Sequence, residues 1–300
     1  MRRVAPLTGV IAIGALSMAV AGFQTPPQTP PVAQIEKVKG NLYEITGGGG
    51  NTAAFVTDKG VVLVDTKLPG WGQAILDKVK TVTDKPVVQI INTHTHGDHN
   101  GSNEFFGTSV EIVAQEKTKT YMEKLGPFKG DKSVFLPKKT FKDKLQLGTG
   151  KDEIDLYYFG PAHTGGDAWV VFKDLRVMHA GDAFAFKASP VIDADNGGSA
   201  VEYGKTLQKA ATSVKNVDEI ITGHSMVRRK MADLQDYADF NNDLLAWVKR
   251  EIKAGKTSDQ AAMEYMVPAK FASKGFSALT QGPLGIKNHI EVAYKELGKE

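Results

Sequence analysis

The sequence predicts an α/β fold in which layered sheets are covered by helices. From residue 38 onward, short β runs alternate with stretches of helical spacing, and residues 229–300 turn to helical spacing alone. The 300 residues, 41% apolar and 24% charged, suffice for a full core and exclude disorder as the overall state.

At the N-terminus, Arg2 and Arg3 precede an apolar stretch broken by Pro6, Gly9, Gly14 and Ser17, then Ala19-Val20-Ala21, which matches a signal-peptidase site. The expectation is a signal peptide over residues 1–21, cleaved after Ala21. The mature protein is then periplasmic or secreted, with no stable membrane association after cleavage. Gln24-Thr25-Pro26-Pro27 repeats at once as Gln28-Thr29-Pro30-Pro31, so residues 22–37 read as a Pro-rich linker. Losing the leader removes two positive charges from a formal net charge of +3, and the remaining lysines are scattered. No nucleic-acid footprint results, and the expected partner is a small-molecule substrate.

The domain expected over residues 38–228 opens with an antiparallel meander at 41–46, 52–57 and 61–64, the last run ending on Asp65. The glycine run at 47–50 suits a mobile loop, either a plain hairpin connection or a flap over a site. A helix is predicted over 72–83 and a buried strand over 87–91, followed by a helix over 99–106, a strand over 111–114 and a helix over 115–125. Strands near 155–159, 168–172 and 176–179, a helix over 200–214 and a strand over 219–222 complete it. In the C-terminal helical segment, Leu234, Tyr237, Leu244, Leu245, Val248 and Ile252 share one helical face and Gly255 supplies a stop. Thr257 with Gln260 forms a capping-box pattern, and Ile290, Val292 and Leu297 mark a last helix. A lone histidine on that helix, His289, carries no ligand geometry and reads as structural or surface.

With no cysteine in the chain, a transition-metal site must be built from His, Asp or Glu. The run His94-Thr95-His96-Gly97-Asp98-His99 places four such side chains just after an apolar strand, where they need partners that a metal supplies. On extended backbone His94 and His96 point to one side and can share an ion, while Asp98 and His99, at the turn into a helix, can reach a second. Further on come His163 in Pro161-Ala162-His163-Thr164, Asp182 in His179-Ala180-Gly181-Asp182, and His224 in Thr222-Gly223-His224, each ending a β run.

The order H-x-H-x-D-H, His, Gly-Asp, Gly-His resembles the metallo-β-lactamase superfamily over residues 38–226. That resemblance implies a four-layer αββα sandwich with a C-terminal helical extension, holding two zinc ions per chain. By it, His94, His96 and His163 bind the first zinc, Asp98, His99 and His224 the second, and Asp182 bridges them. It also implies a hydrolase in which a hydroxide shared by both ions opens a carbonyl substrate such as a β-lactam, lactone or other ester, with Asp98 as the catalytic residue that orients it or moves its proton. Asp65 is then a support to the site or a solvated turn residue, His179 a structural or supporting residue, and Asp167 a turn residue.

Departures from subgroup patterns narrow the choice. The best-known β-lactamase subgroup puts a cysteine in the second zinc site, which this chain lacks. Glyoxalase-II-like thioesterases usually carry Pro-Gly-His-Thr where this chain has Pro161-Ala162-His163-Thr164. Flavodiiron relatives carry Glu for the second histidine and a flavin domain, and neither occurs here. Alternative readings are a glyoxalase-II-like thioesterase, a persulfide-dioxygenase-like oxidoreductase with a single iron, and a metal-stabilised binding module. For substrate contact the sequence offers Lys187, Arg228 and Arg229 as carboxylate partners, Asn196-Gly197-Gly198 as a loop at the site mouth, and Trp71, Phe105 and Tyr121 as pocket or core aromatics, without ranking them.

Overall fold

A computed structural model describes residues 33–279 and 285–298. The expected leader and nearly all of the Pro-rich linker lie outside the described residues.

The first sheet has seven strands in chain order: β1 (Gln34–Lys39), β2 (Leu42–Thr46), β3 (Thr52–Val56), β4 (Val61–Val64), β5 (Val87–Asn92), β6 (Glu111–Gln115) and β7 (Lys139–Phe141). The pairs from β1 to β4 are antiparallel, and those from β4 to β7 are parallel. Parallel neighbours need crossovers, which α1 (Gly72–Lys80), α2 (Gly97–Asn100) and α3 (Glu116–Met122) supply together with short 3-10 turns. The second sheet runs in the order β12, β11, β10, β9, β8, formed by β8 (Lys144–Leu147), β9 (Ile154–Tyr157), β10 (Trp169–Phe172), β11 (Val177–His179) and β12 (Glu219–Ile221), with α4 (Ala200–Ser213) between the last two. The chain closes with α5 (Met231–Lys253), α6 (Ser258–Glu264), α7 (Ala269–Ala272) and α8 (Ile286–Glu296).

Side-chain alternation along the strands builds the layers. Val62 and Val64 of β4 face inward with Phe55, Ile91 and Val113, meeting Leu156, Val170, Phe172 and Val177 of the second sheet. Val61 and Leu63 face outward and pack with Ile75 and Val79 of α1. On the far side Trp169, Val171, Met178 and Ile220 are covered by Tyr203 and Leu207 of α4, Tyr237 and Leu244 of α5, and Ile290 of α8. Helix, sheet, sheet and helix follow in order, giving the αββα sandwich with its C-terminal helices.

The expected capping box is present: Thr257 Oγ1 accepts from Gln260 N at 3.2 Å and Gln260 Oε1 from Thr257 N at 3.0 Å. Glu296, at the end of α8, accepts from Ser199 Oγ and the first amides of α4, tying the last helix to the sandwich.

Sequence reading and structure differ in three places. The first strand begins at Gln34, inside the stretch expected to be linker, because Ile35 pairs with Ile45 across the ladder. Strands β7 and β8 have no sequence counterpart; they are short, and Lys139, Lys144 and Gln146 mask the period-2 pattern. The predicted helix over 99–106 is two short pieces, α2 and a 3-10 turn at Asn103–Phe106, broken where Gly101 bonds back to Lys67 O at 2.9 Å.

Candidate metal centre

The chemistry collects at one end of the sandwich, where strands run out and the backbone must turn. Asp65 follows β4, His94 and His96 follow β5, Asp98 and His99 lie in α2, Asp182 follows β11 and His224 follows β12. His163 comes from the loop between β9 and β10. Seven of these side chains, all but Asp65, form three overlapping groups whose donor atoms lie within 4.8 Å of one another: His94, His96 and His163; His94, His99 and Asp182; Asp98, His99 and His224.

The outward nitrogen of each inner imidazole is fixed by an acceptor, which sets the tautomer. Thr93 Oγ1 donates to Asp65 Oδ2 at 2.7 Å, so it accepts from His94 Nδ1 at 2.9 Å. Asp65 Oδ2 also accepts from His99 Nδ1 at 2.7 Å, and Asp65 Oδ1 from Thr93 N at 2.8 Å. His96 Nε2 donates to Asp193 Oδ2 at 2.6 Å, and His163 Nδ1 to Val191 O at 2.8 Å. Their inward nitrogens therefore present lone pairs. His96 Nδ1 and His163 Nε2 face each other at 2.9 Å, and the buried His94 Nε2 meets no hydrogen-bond partner among the described residues. Lone pairs this close repel unless a cation lies between them, so the donor set fits a metal ion.

Asp182 joins the groups: Oδ1 is 3.3 Å from His99 Nε2, and Oδ2 is 3.1 Å from His224 Nε2 and 3.6 Å from His163 Nε2. Only glycine fits at 223, since a Cβ there would stand 1.8 Å from Asp182 Oδ1. Tyr203 of α4 donates its hydroxyl to the backbone carbonyls of Asp182 and Ala183 from behind. Asp98 Oδ2 stands 3.4 Å from His224 Nε2 and 3.7 Å from His99 Nε2.

Electrostatics divide the histidines. Burial holds His94 well below the ordinary histidine range, helped by His99, His96 and His163, and brings His163 to about 4 against the pull of Asp182. Burial acts the same way on His99, but Asp182 and Asp65 outweigh it and raise that residue well above the ordinary value. His224 is also raised, because Asp182 overcomes its burial. Asp182 is held well below the carboxylate range by His99 and His224 despite its own burial.

Other residues singled out in the sequence fall into place around this core. Asp65 is buried at φ 65°, a left-handed backbone, with both carboxylate oxygens bonded. It is a support rather than a solvated turn residue. His179 accepts from Gly181 N through Nδ1 and pairs with Asn51 O through Nε2, leaving no nitrogen for an ion. Asp167 closes the turn beside His163 by accepting from Thr164 N and Oγ1, and burial pushes its carboxyl up to about 7. Asn196 acts through Asp193, donating from Nδ2 to Oδ2 at 2.6 Å. Lys187 pairs with Asp233 at 2.5 Å, Arg228 with Glu36, Glu44 and Glu219, and Arg229 reaches Ser225 Oγ, so these three cations are engaged away from the ligands. His289 is fully buried beside Pro190, and burial pulls it down to about 4.

Sequence reasoning missed Asp193, Thr93 and Lys67. An Asp three residues before Asn196 in a Gly-rich turn was the available signal for the first. A hydroxyl directly before the first ligand was the signal for Thr93. Lys67 has no sequence signature, yet it is fully buried at φ 63°, and burial brings its ammonium down to about 7 against Asp65 and Glu44.

A cavity of about 340 Å³ opens on the ligands, lined by His96, Asp98, His163, Asp182 and His224 on one side and by Ala185, Phe186, Pro190 and Val191 on the other, with Tyr237. A larger cleft of about 550 Å³ lies at the opposite ends of the strands, lined by Thr57, Lys59, Gly148 and Asp152 among others, where no ligand set converges among the described residues. Trp71, Phe105 and Tyr121 line neither; Trp71 packs over Gly48, Phe105 over Gly72, and Tyr121 against Gly165 and Gly197.

A family model described as the metallo-beta-lactamase superfamily matches residues 45–238. The chain belongs to the metallo-β-lactamase superfamily. Within it, the chain is similar to a metallo-beta-lactamase type 2 of Elizabethkingia meningoseptica, 28% identical over 227 residues that span 70% of this chain and 85% of the relative. It is also similar to the 2,4-dinitroanisole O-demethylase subunit alpha of Nocardioides sp., 29% identical over 170 residues, 56% of this chain and 50% of that one. Among solved structures, the DIM-1 metallo-beta-lactamase superposes with a TM-score of 0.58 at 18% identity, over 70% of this chain and 98% of its own. The sec-alkylsulfatase Pisa1 of Pseudomonas sp. superposes with a TM-score of 0.71 at 17% identity, over 88% of this chain. The chain spans half (50%) of the length of that alkylsulfatase. The structural likenesses establish the shared fold of this metallo-β-lactamase superfamily member.

Proposed function

We propose that this metallo-β-lactamase superfamily member is an exported two-metal hydrolase that opens small carbonyl substrates, with lactones and uncharged esters favoured over β-lactams. The observation that carries the reading is Asp182 standing between two complete donor groups, within 3.6 Å of His163 and 3.3 Å of His99. His94, His96 and His163 would hold one ion, Asp98, His99 and His224 the other, with Asp182 shared. Two divalent ions bound there, zinc by the donor chemistry, would supply a water nucleophile at neutral pH and Lewis acidity toward the scissile bond.

The chain's own residues do the rest. Asp98, about a third exposed at 30% and lining the cavity, is the carboxylate placed to take and return a proton. Asp65 and Asp193 hold His99 and His96 in the tautomers that keep their inward nitrogens bare. Ala185, Phe186, Pro190 and Val191 exclude water and receive the apolar body of the substrate. The cavity lining carries no lysine or arginine, and of the nearest cations in sequence Lys187 and Arg228 are committed to carboxylates and Arg229 reaches Ser225 Oγ, so a substrate carboxylate finds no counter-charge in the lining. Bicyclic β-lactams bear such a carboxylate, which is why the uncharged acyl substrates are favoured.

Elemental analysis of the mature protein, with turnover of a lactone, a neutral ester, a thioester and a chromogenic β-lactam on the same sample, tests this. Near two zinc per chain with lactone or ester hydrolysis supports it. One iron per chain with oxygen consumption on a persulfide overturns it, and metal without turnover reassigns the chain as a binding module. Export is checked by sequencing the N-terminus of the protein recovered outside the cytoplasm, which should begin at Gly22.

A further inference from the structure

Residues 47–50 read in sequence as a mobile glycine loop, but the structure binds them down behind the second ligand group. Gly50 N donates to Asp98 O at 3.0 Å, Leu68 N to Gly48 O at 3.0 Å, and Asn51 N to Gly223 O at 2.7 Å. The loop also touches the ligands themselves. A Cβ on Gly50 would stand 2.2 Å from His99 Cε1, and one on Gly49 would stand 2.8 Å from Asp98 Cβ, so only glycine lets this backbone lie flat against both residues.

The fastening is Lys67. Its side chain is fully buried, and its ammonium donates to Ile45 O at 2.8 Å and to Gly50 O at 2.8 Å, bridging the end of β2 and the glycine loop. The backbone around it grips the ligand helix from the other side: Thr66 N donates to His99 O at 2.6 Å, and Gly101 N to Lys67 O at 2.9 Å. Helix α2, carrying Asp98 and His99, is thus held between residues 66–67 and the loop that Lys67 pins. A buried ammonium and a left-handed backbone at a non-glycine residue are both unfavourable, and they persist only where surrounding contacts hold them. An apolar side chain would fill the same space without the buried charge.

We propose that Lys67 is a positioning residue for the second metal: by clamping the glycine loop against Asp98 and His99, it sets how tightly the Asp98, His99, His224 group retains its ion. This rests on the two-metal reading above. The first group has its own fasteners in Thr93, Asp193 and Val191, none of which hydrogen-bonds the Lys67 side chain, whose acceptors are Ile45 O and Gly50 O, so the effect is selective.

The experiment compares the full-length wild type with Lys67→Met, which keeps chain length and removes the donor. Each is loaded with cobalt(II) and titrated with a chelator, while metal per chain and the cobalt absorption bands are followed; His163→Ala and His224→Ala give reference spectra for loss at each group. The expected result is one ion retained as in wild type and the second released at least about tenfold more readily, with the bands that remain matching the His224→Ala reference. Equal weakening of both ions, or none, overturns the proposal. If Lys67→Met does not fold, Gly50→Ala probes the same clamp from the loop side, and retention of both ions there is equally fatal. A wild type that never holds more than one ion sinks the two-metal reading instead.

Discussion

The two ligand groups lie side by side, yet they are held by opposite means. His94 and His163 are buried, kept neutral by burial, and His94, His96 and His163 are each fixed by a separate acceptor, Thr93, Asp193 and Val191. The second group depends on carboxylates: Asp182 and Asp65 raise His99, and Asp182 raises His224. The first is organised by hydrogen bonds at its periphery, the second by charge at its centre. Burial favours the neutral form of His94 and His163, which is ready to bind a cation, whereas the carboxylates beside His99 and His224 favour the protonated form, so a proton must leave as a cation binds there.

The largest expected effect comes from removing the residue the groups share. Asp182→Ala should lower kcat/KM by roughly 100- to 1,000-fold and release the second ion, read by steady-state kinetics and elemental analysis. A variant that keeps both ions and near-normal turnover would dissolve the distinction between the groups.

Next is acid. His99 and His224 have folded-state pKa values above the ordinary value and His94 and His163 values below it, so protons compete with metal at the second group first as pH falls from neutrality. In the metal-free chain the raised values act on stability in the opposite sense. The stability contributed by raised His99 and His224 is present below the unfolded value and lost as pH rises through the folded one. Chelator titrations at successively lower pH should show the second ion leaving before the first, and simultaneous loss would contradict the charge-centred account.

Asp193→Ala tests the periphery. Removing the acceptor for His96 Nε2 should weaken the first ion by about 10- to 100-fold while leaving the second within about twofold, measured by competition with a fluorescent chelator. Weakening of both alike would mean that the acceptors act on the site as a whole.

The smallest effect on the metals is expected at Arg228, which bonds Glu36, Glu44 and Glu219 on the flank of the His224 loop. Arg228→Met should leave both ions in place and destabilise the fold by about 1–3 kcal/mol, because the buried Glu44 carboxyl loses its partner. Thermal unfolding with metal content measured in parallel checks it; loss of the second ion would extend that group's support outward to the strand edge.

Legibility in sequence follows the same division. His94, His96, Asp98 and His99 were conspicuous because four ligand-type side chains crowd a strand end, where local chemistry alone demands an explanation. His163, Asp182 and His224 each stand alone, and their assignment leaned on the order in which they follow the first cluster. Asp193 was passed over in favour of its neighbour Asn196, since an Asp in a Gly-rich turn is ordinary until an imidazole is seen 2.6 Å away. The glycine run was read as loose because flexibility is a property of glycine in isolation. Here it serves close approach, which depends on what lies opposite.

By itself the sequence determined the layered α/β class, the ligand-type residues and the C-terminal helices, because period-2 and helical patterning and residue chemistry are local. Which nitrogen of each histidine carries its proton, which cations are already paired, and which buried lysine pins the loop behind Asp98 and His99 were decided only by the tertiary structure. Most of these depend on partners distant in the chain, such as Gly50, 17 positions from Lys67, and Glu36, 192 positions from Arg228, a separation that only folding closes.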